Sequence, residues 1–151
     1  MKYLLCDREL DMYMDNALRY AKMSRCERLK VGAVIVKNNN IISFSWNGTV
    51  AGDDNCCEDV IYDVNGNPIL VTKPSVIHAE ENAILKLARC SHSGKNSILI
   101  CTHAPCNVCA RMIYSTGIRT VYYKDVYKSN AGIDYLIDHK VTVLKYNNGA
   151  Q

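Results

Sequence analysis

Four residues in the second half of the chain have the types and spacing for metal chemistry. They are His78 and Glu80 of His78-Ala79-Glu80, and Cys106 and Cys109 of Pro105-Cys106-Asn107-Val108-Cys109. Zn²⁺ favours four tetrahedral ligands, and a catalytic site takes three from the protein and leaves the fourth for water. One imidazole and two thiols make three. Cysteines at i and i+3 in a first helical turn share a face and grip one ion. The unpaired N–H groups of that turn favour thiolates. Pro105 suits the position just before a helix, where no donor is required of it. Glu80, two residues beyond the imidazole, is near enough to take a proton from an acidified water without being obliged to bind metal. The chemistry implied is hydrolysis with a carboxyl moving protons. Taken alone, Cys-x-x-Cys also fits structural zinc, a redox pair or core packing, but a redox pair leaves His78 and Glu80 unexplained.

These groups need elements that hold them. Residues 79–89, AEENAILKLAR, are strong helix formers, and residues 106–115 read as a helix after Pro105. In ELDMYMDNALRYAKM, residues 9–23, Leu10, Met14, Ala17, Leu18 and Ala21 fall on one helical stripe. VGAVIVK at 31–37 and IISFSW at 41–46 are β-rich runs joined by Asn38-Asn39-Asn40, which predicts a hairpin. SILIC at 97–101, RTVYY at 119–123 and VTVLKY at 141–146 predict three more strands, with a short helix at 130–138. From Asn47 to Ser75 the pattern dissolves into Gly, Asp, Asn and Pro, and no regular element is expected there. A stretch that long inside a domain is more often functional than idle. The order α-β-β-α-β-α-β-α-β predicts an α/β fold with a mixed five-stranded sheet covered by helices. Its two central βα units should be parallel neighbours with right-handed crossovers.

Composition sets the outer bounds. A chain of 151 residues fits one domain, 1–151, and 48% hydrophobic with 22% charged residues is ordinary for a globular protein. A formal charge of +3, with no run of like charges, argues for neither a nucleic-acid nor a membrane partner. The start MKYLLCDREL has too short an apolar stretch for a secretion signal, and no run approaches the roughly 20 residues that cross a bilayer. A cytoplasmic protein is expected, whose eight cysteines are reduced thiols or metal ligands rather than a disulfide framework.

His-x-Glu followed by Pro-Cys-x-x-Cys is the signature of zinc nucleobase deaminases. The segments SRCERLKVGAVIVKNNNIISFSWNGT, HAEENAILKLAR and APCNVCARMIYSTGIRTVYY resemble the deoxycytidylate deaminase family, its bacteriophage members above all, across about residues 10–146. The resemblance implies the cytidine-deaminase-like three-layer α/β/α sandwich. It implies hydrolysis of dCMP to dUMP and ammonia for thymidylate synthesis, in a homohexamer activated by dCTP and inhibited by dTTP, with Mg²⁺ accompanying the triphosphate. His78, Cys106 and Cys109 match the family's zinc ligands, Glu80 its proton-shuttling acid, and Ala79 falls among the substrate-binding positions. Asn47 matches a residue that hydrogen-bonds the deoxyribose, against the alternative of a plain Asn-Gly turn. Tyr127 aligns with a substrate-contacting tyrosine, against a structural role. Arg25 and Lys30 are candidates for the 5′-phosphate or else solvated surface cations. Asn47, Gly48 and Asp53 belong to the effector loop, and Arg89 matches an arginine tied to subunit contacts and regulation, or simply favours the helix dipole.

Departures from the family touch two expectations. Some phage relatives hold a second, structural zinc with cysteines matching Cys26 and Cys56. Here the insertion is shortened, and Val76, two before His78, is no ligand, so a second zinc needs Cys57 or His103 as donors. Val50 stands where the effector loop usually has proline. The rivals are a deaminase of a free nucleoside, guanine, RNA or DNA, and a non-catalytic zinc module that senses nucleotide. One Phe and one Trp are few for stacking on nucleic acid, and a structural zinc has no use for Glu80.

Overall fold

The stripes and turns resolve into four helices and seven strands among the described residues. The structure, a computed structural model, describes residues 4–148; the first three residues of the amino-terminal stretch read above lie outside the described residues. Helix α1 (Asp7–Ala21) buries Tyr13, Met14, Ala17 and Ala21. The expected Leu10 and Leu18 flank that stripe, partly buried against the same cluster. Strands β1 (Gly32–Lys37) and β2 (Asn40–Trp46) pair antiparallel as expected. Asn38 and Asn39 between them have φ of 50° and 60°. A tight hairpin turn of the primed type requires such angles at both central residues, and asparagine tolerates them.

The stretch expected to be irregular holds a second hairpin. Strands β3 (Glu58–Tyr62) and β4 (Pro68–Thr72) form a separate two-stranded antiparallel sheet. Its loop is closed by the Asp63 carboxylate, which accepts from the N–H groups of Asn65 and Asn67 at 2.8 and 2.9 Å. Gly66 supplies a φ of 81°. Neither strand has a consistently buried face, so the alternation that betrays a half-buried strand is missing from its sequence.

Helix α2 (Ala79–Leu87), strand β5 (Ile98–His103), helix α3 (Asn107–Thr116), strand β6 (Thr120–Asp125), helix α4 (Ala131–Asp138) and strand β7 (Thr142–Lys145) complete the chain. The main sheet has the order β2-β1-β5-β6-β7. Strand β1 is antiparallel to β2 and β5, while β5, β6 and β7 are parallel. Alternation along the central strands divides the core. Val34, Val36, Ile98 and Ile100 face α1, and Ala33, Ile35, Leu99 and Cys101 face α2, α3 and α4. This is the expected three-layer α/β/α arrangement, with a mixed five-stranded sheet in the middle.

The layers pack closely at the start of β1. A Cβ on Gly32 would overlap the Ala17 carbonyl oxygen and lie 2.7 Å from the Ala21 nitrogen, so α1 can rest on β1 only where a side chain is missing. Because β1 runs against β5, its first residues share an edge of the sheet with the end of β2 and the end of β5; Gly32 pairs with Trp46, and Ala33 with Cys101. Among the described residues, no helix is long and apolar enough to cross a membrane.

Candidate metal centre and active site

At that shared edge two helices begin side by side, and their first residues carry the metal-type side chains. His78 caps α2 and Cys106 caps α3, both in extended backbone (φ −69°, ψ 156° and φ −72°, ψ 170°). Cys109 lies one turn into α3, and its N–H donates to Cys106 Sγ at 3.5 Å. The His78 Nδ1 atom is 3.6 Å from Cys106 Sγ and 3.4 Å from Cys109 Sγ. Bond lengths of about 2.3 Å to sulfur and about 2.05 Å to nitrogen at tetrahedral angles set such atoms about 3.55 Å apart. The three donors therefore fit Zn²⁺ both in kind and in spacing. They are the one group of three or more metal-type ligands among the described residues.

Electrostatics favours a cation at this point. The Cys106 thiol is pushed down to about 3, first by the hydrogen bond from Cys109 and also by His78 and the helix N–H. Cys109, whose thiol donates to that thiolate in a buried place, is held well up. The contact with Cys106 raises His78. A divalent ion held by His78, Cys106 and Cys109 would replace the proton that the two sulfurs share. Glu80 sits in the first turn of α2, 4% exposed. Burial is the largest influence on it and pushes its carboxyl up to about 7. A carboxyl with that value can both take and return protons near neutral pH.

A cavity opens beside these groups, lined by His78, Ala79, Glu80 and Cys106 together with Asn47, Thr72, His103 and Tyr127. Helix α4 buttresses the metal loop from behind. A Cβ on Gly132 would overlap the Pro105 carbonyl oxygen and approach the Cys106 carbonyl carbon and oxygen to 2.8 Å.

Residues 7–125 match the profile of the cytidine and deoxycytidylate deaminase zinc-binding region. The chain belongs to the cytidine and deoxycytidylate deaminase family. It is 33% identical over 118 residues to ComE operon protein 2 of Bacillus subtilis, an alignment covering 78% of this chain and 60% of that protein. It is 32% identical over 140 residues to the deoxycytidylate deaminase of Enterobacteria phage T4, covering 71% of this chain and 72% of the phage protein. The crystal structure of dCMP deaminase from the cyanophage S-TIM5, in complex with dCMP and dUMP, superposes with a TM-score of 0.85. Identity there is 40%, with 95% of this chain and all of that one covered. The chain thus spans about 60% of the length of the B. subtilis relative but the whole of the cyanophage enzyme.

The cavity and the three metal-type donors include some sequence candidates and leave others outside. Asn47 lines the cavity, but its amide is already tied to backbone: Oδ1 accepts from Val31 N–H at 2.8 Å and Nδ2 donates to the Leu29 carbonyl at 2.8 Å. One N–H and one lone pair remain for a ligand. Ala79 and Tyr127 line the same cavity. Arg25 is exposed and outside the lining, as is Lys30, whose ammonium donates to the Ser24 carbonyl at 2.6 Å. Gly48 exchanges backbone hydrogen bonds with Ile77, 3.1 and 2.8 Å, which ties the end of β2 to the residue before His78. Asp53 is exposed in the following turn, and Arg89 is exposed beyond the end of α2.

Cys26 and Cys56, considered together for a second metal, are apart in their surroundings. Cys26 is buried against Cys57 and Val76, and burial with the Cys26 contact pushes the Cys57 thiol up to about 12. Cys56 is exposed and donates to the Glu58 carbonyl at 3.3 Å. Neighbouring side chains of an extended segment point opposite ways, so only one of the two adjacent thiols can face Cys26. The sequence offers His103 only as a spare metal donor, whereas it lines the cavity. Its position at the end of a strand, three residues before Cys106, was the available signal.

Proposed function

We propose that this protein hydrolyses dCMP to dUMP and ammonia. The observation that carries the reading is a buried carboxyl, Glu80, lining the same cavity as His78 and Cys106, two of three donors spaced for zinc. The similarity to deoxycytidylate deaminases of phages supports the choice of substrate. Zinc held by His78, Cys106 and Cys109 supplies Lewis acidity that brings water into a nucleophilic form near neutral pH. Glu80 accepts the proton that water gives up and delivers it to the ring nitrogen of cytosine. A second proton passes through the same carboxyl to the exocyclic amine, which departs as ammonia and leaves a carbonyl. Water and dCMP go in; dUMP and ammonia come out. Burial of Glu80 keeps bulk water from competing for these protons.

The wider reading has the protein act in the cytoplasm, supply dUMP for thymidylate synthesis, and assemble as a homohexamer activated by dCTP and inhibited by dTTP with Mg²⁺. Its support is the family resemblance, the exposed polar turn at 51–55 joined through Gly48 to the residue before His78, and an exposed Phe44 stacked at 4.3 Å on the partly buried Tyr20. Zinc-loaded protein is to be given dCMP, deoxycytidine and a cytosine-containing oligonucleotide, with ammonia as the readout. Fastest release from dCMP supports the assignment, and preference for the oligonucleotide overturns it. Saturation curves for dCMP that ignore both triphosphates refute the regulatory part alone.

A further inference from the structure

His103 closes β5 and lines the cavity, yet it is not one of the three metal donors. Its Nδ1 lies 3.2 Å from Thr102 Oγ1. Thr102 is 1% exposed, and its oxygen already accepts from the Gly32 N–H at 3.1 Å. The hydroxyl hydrogen has no acceptor among the described residues other than His103 Nδ1. A buried hydroxyl keeps its hydrogen bonded, because an unpaired donor loses its water without compensation. Thr102 therefore donates to Nδ1, which in a neutral imidazole puts the proton on Nε2. The chain Gly32 N–H to Thr102 Oγ1–H to His103 Nδ1 fixes the ring and leaves Nε2–H without an acceptor among the described residues.

Burial lowers the pKa of His103, against the opposing influence of Asp125, so the ring is neutral at ordinary pH. Asp125 pairs with His103 across the parallel strands and is itself exposed. The geometry points to His103 as a substrate-positioning residue that presents a fixed Nε2–H donor to an acceptor oxygen of the bound pyrimidine nucleotide. This rests on the cavity being the nucleotide site. The acceptor is an oxygen of the base or sugar, or one of the phosphate; all are met by the same neutral donor.

The test uses zinc-loaded protein labelled with ¹⁵N-histidine, whose four imidazoles are assigned by loss of one signal in His103→Gln. The wild-type spectrum should show His103 as the Nε2–H tautomer. Thr102→Val should give a mixture of tautomers, while Thr102→Ser, which keeps the hydroxyl, should not. Adding dUMP should shift the His103 Nε2 signal, a readout independent of turnover. In kinetics, His103→Leu should raise KM for dCMP about tenfold, the worth of one hydrogen bond of about 1.4 kcal/mol, with kcat changed less than about threefold. His103→Gln, which places an N–H near the Nε2 position, should recover most of that loss. An equal KM rise for deoxycytidine assigns the acceptor to the base or sugar, and a rise confined to dCMP assigns it to the phosphate. A wild-type Nδ1–H tautomer, no shift with dUMP, or an unchanged KM in His103→Leu overturns the inference. Should wild-type protein release no ammonia from dCMP, the deamination reading fails, while the dUMP shift still decides the contact.

Discussion

Replacing Glu80 by glutamine keeps the shape and hydrogen-bonding size of a side chain that is only 4% exposed and removes its charge. In metal-free protein, burial raises this carboxyl from 4.5 to about 7. The folded state therefore holds a proton that the unfolded chain releases between those values. Stability falls as pH rises through that window, and above it the buried carboxylate costs about 3 kcal/mol, at about 1.4 kcal/mol per pH unit. Below the unfolded value the cost vanishes. Glu80→Gln should thus be more stable than wild type by about 3 kcal/mol at about pH 8, and by less than about 1 kcal/mol at about pH 5. For a domain of this size the difference corresponds to a rise in Tm of about 6–12 °C at the higher pH. Thermal melts of chelator-treated wild type and Glu80→Gln across this range measure it directly, since titrations common to both proteins cancel. The same variant, loaded with zinc, should lose about a hundredfold or more of its ammonia release. A stability gap that does not grow with pH, or a variant less stable at about pH 8, refutes the account of Glu80 as a buried carboxyl held near neutrality.

Three further outcomes follow from the geometry. Gly132→Ala must push α4 away from the Pro105 and Cys106 backbone; overpacking of this kind costs about 1–3 kcal/mol, and zinc analysis should show weaker metal retention than in a Gly132 protein of equal concentration. Cys106, half-buried with its thiol down at about 3, should be alkylated by iodoacetamide once zinc is chelated and protected when zinc is present, as read by peptide mass mapping. Cys109, buried and held protonated, should stay unmodified in both cases. Asn47→Ala strands the Val31 N–H and the Leu29 carbonyl, so it should destabilise by about 2–4 kcal/mol; a lowered urea midpoint with an unchanged slope checks this, and an unchanged midpoint refutes the bracing role.

Much of the architecture was legible because local rules and tertiary packing agree. The stripe of Met14, Ala17 and Ala21 meets β1 through Gly32, and the asparagine turn closes the first hairpin. Pro105 and the i, i+3 cysteines begin α3 where the motif placed them. The β3–β4 hairpin escaped because both its faces meet solvent and its sequence alternates nothing. The sequence leaves Asn47 as either a sugar contact or a turn, and in the structure its amide braces the segment from Leu29 to Val31.

What the residues alone determined was the set of reactive groups: an imidazole, two thiols and a carboxyl at helix starts, with spacing that suits a zinc centre. Those properties are local, set by side-chain type and by positions a few bonds apart. Which groups face each other across the cavity was decided by the sheet. Antiparallel pairing of β1 with β5 brings Asn47, Val31 and His103 to one edge although more than fifty residues separate the last from the others. Burial, which lifts Glu80 to about 7, chooses Cys57 over Cys56 as the neighbour of Cys26 and fixes the His103 proton through Thr102, is a property of the packed layers. No spacing along the chain encodes it, because desolvation depends on what arrives from elsewhere.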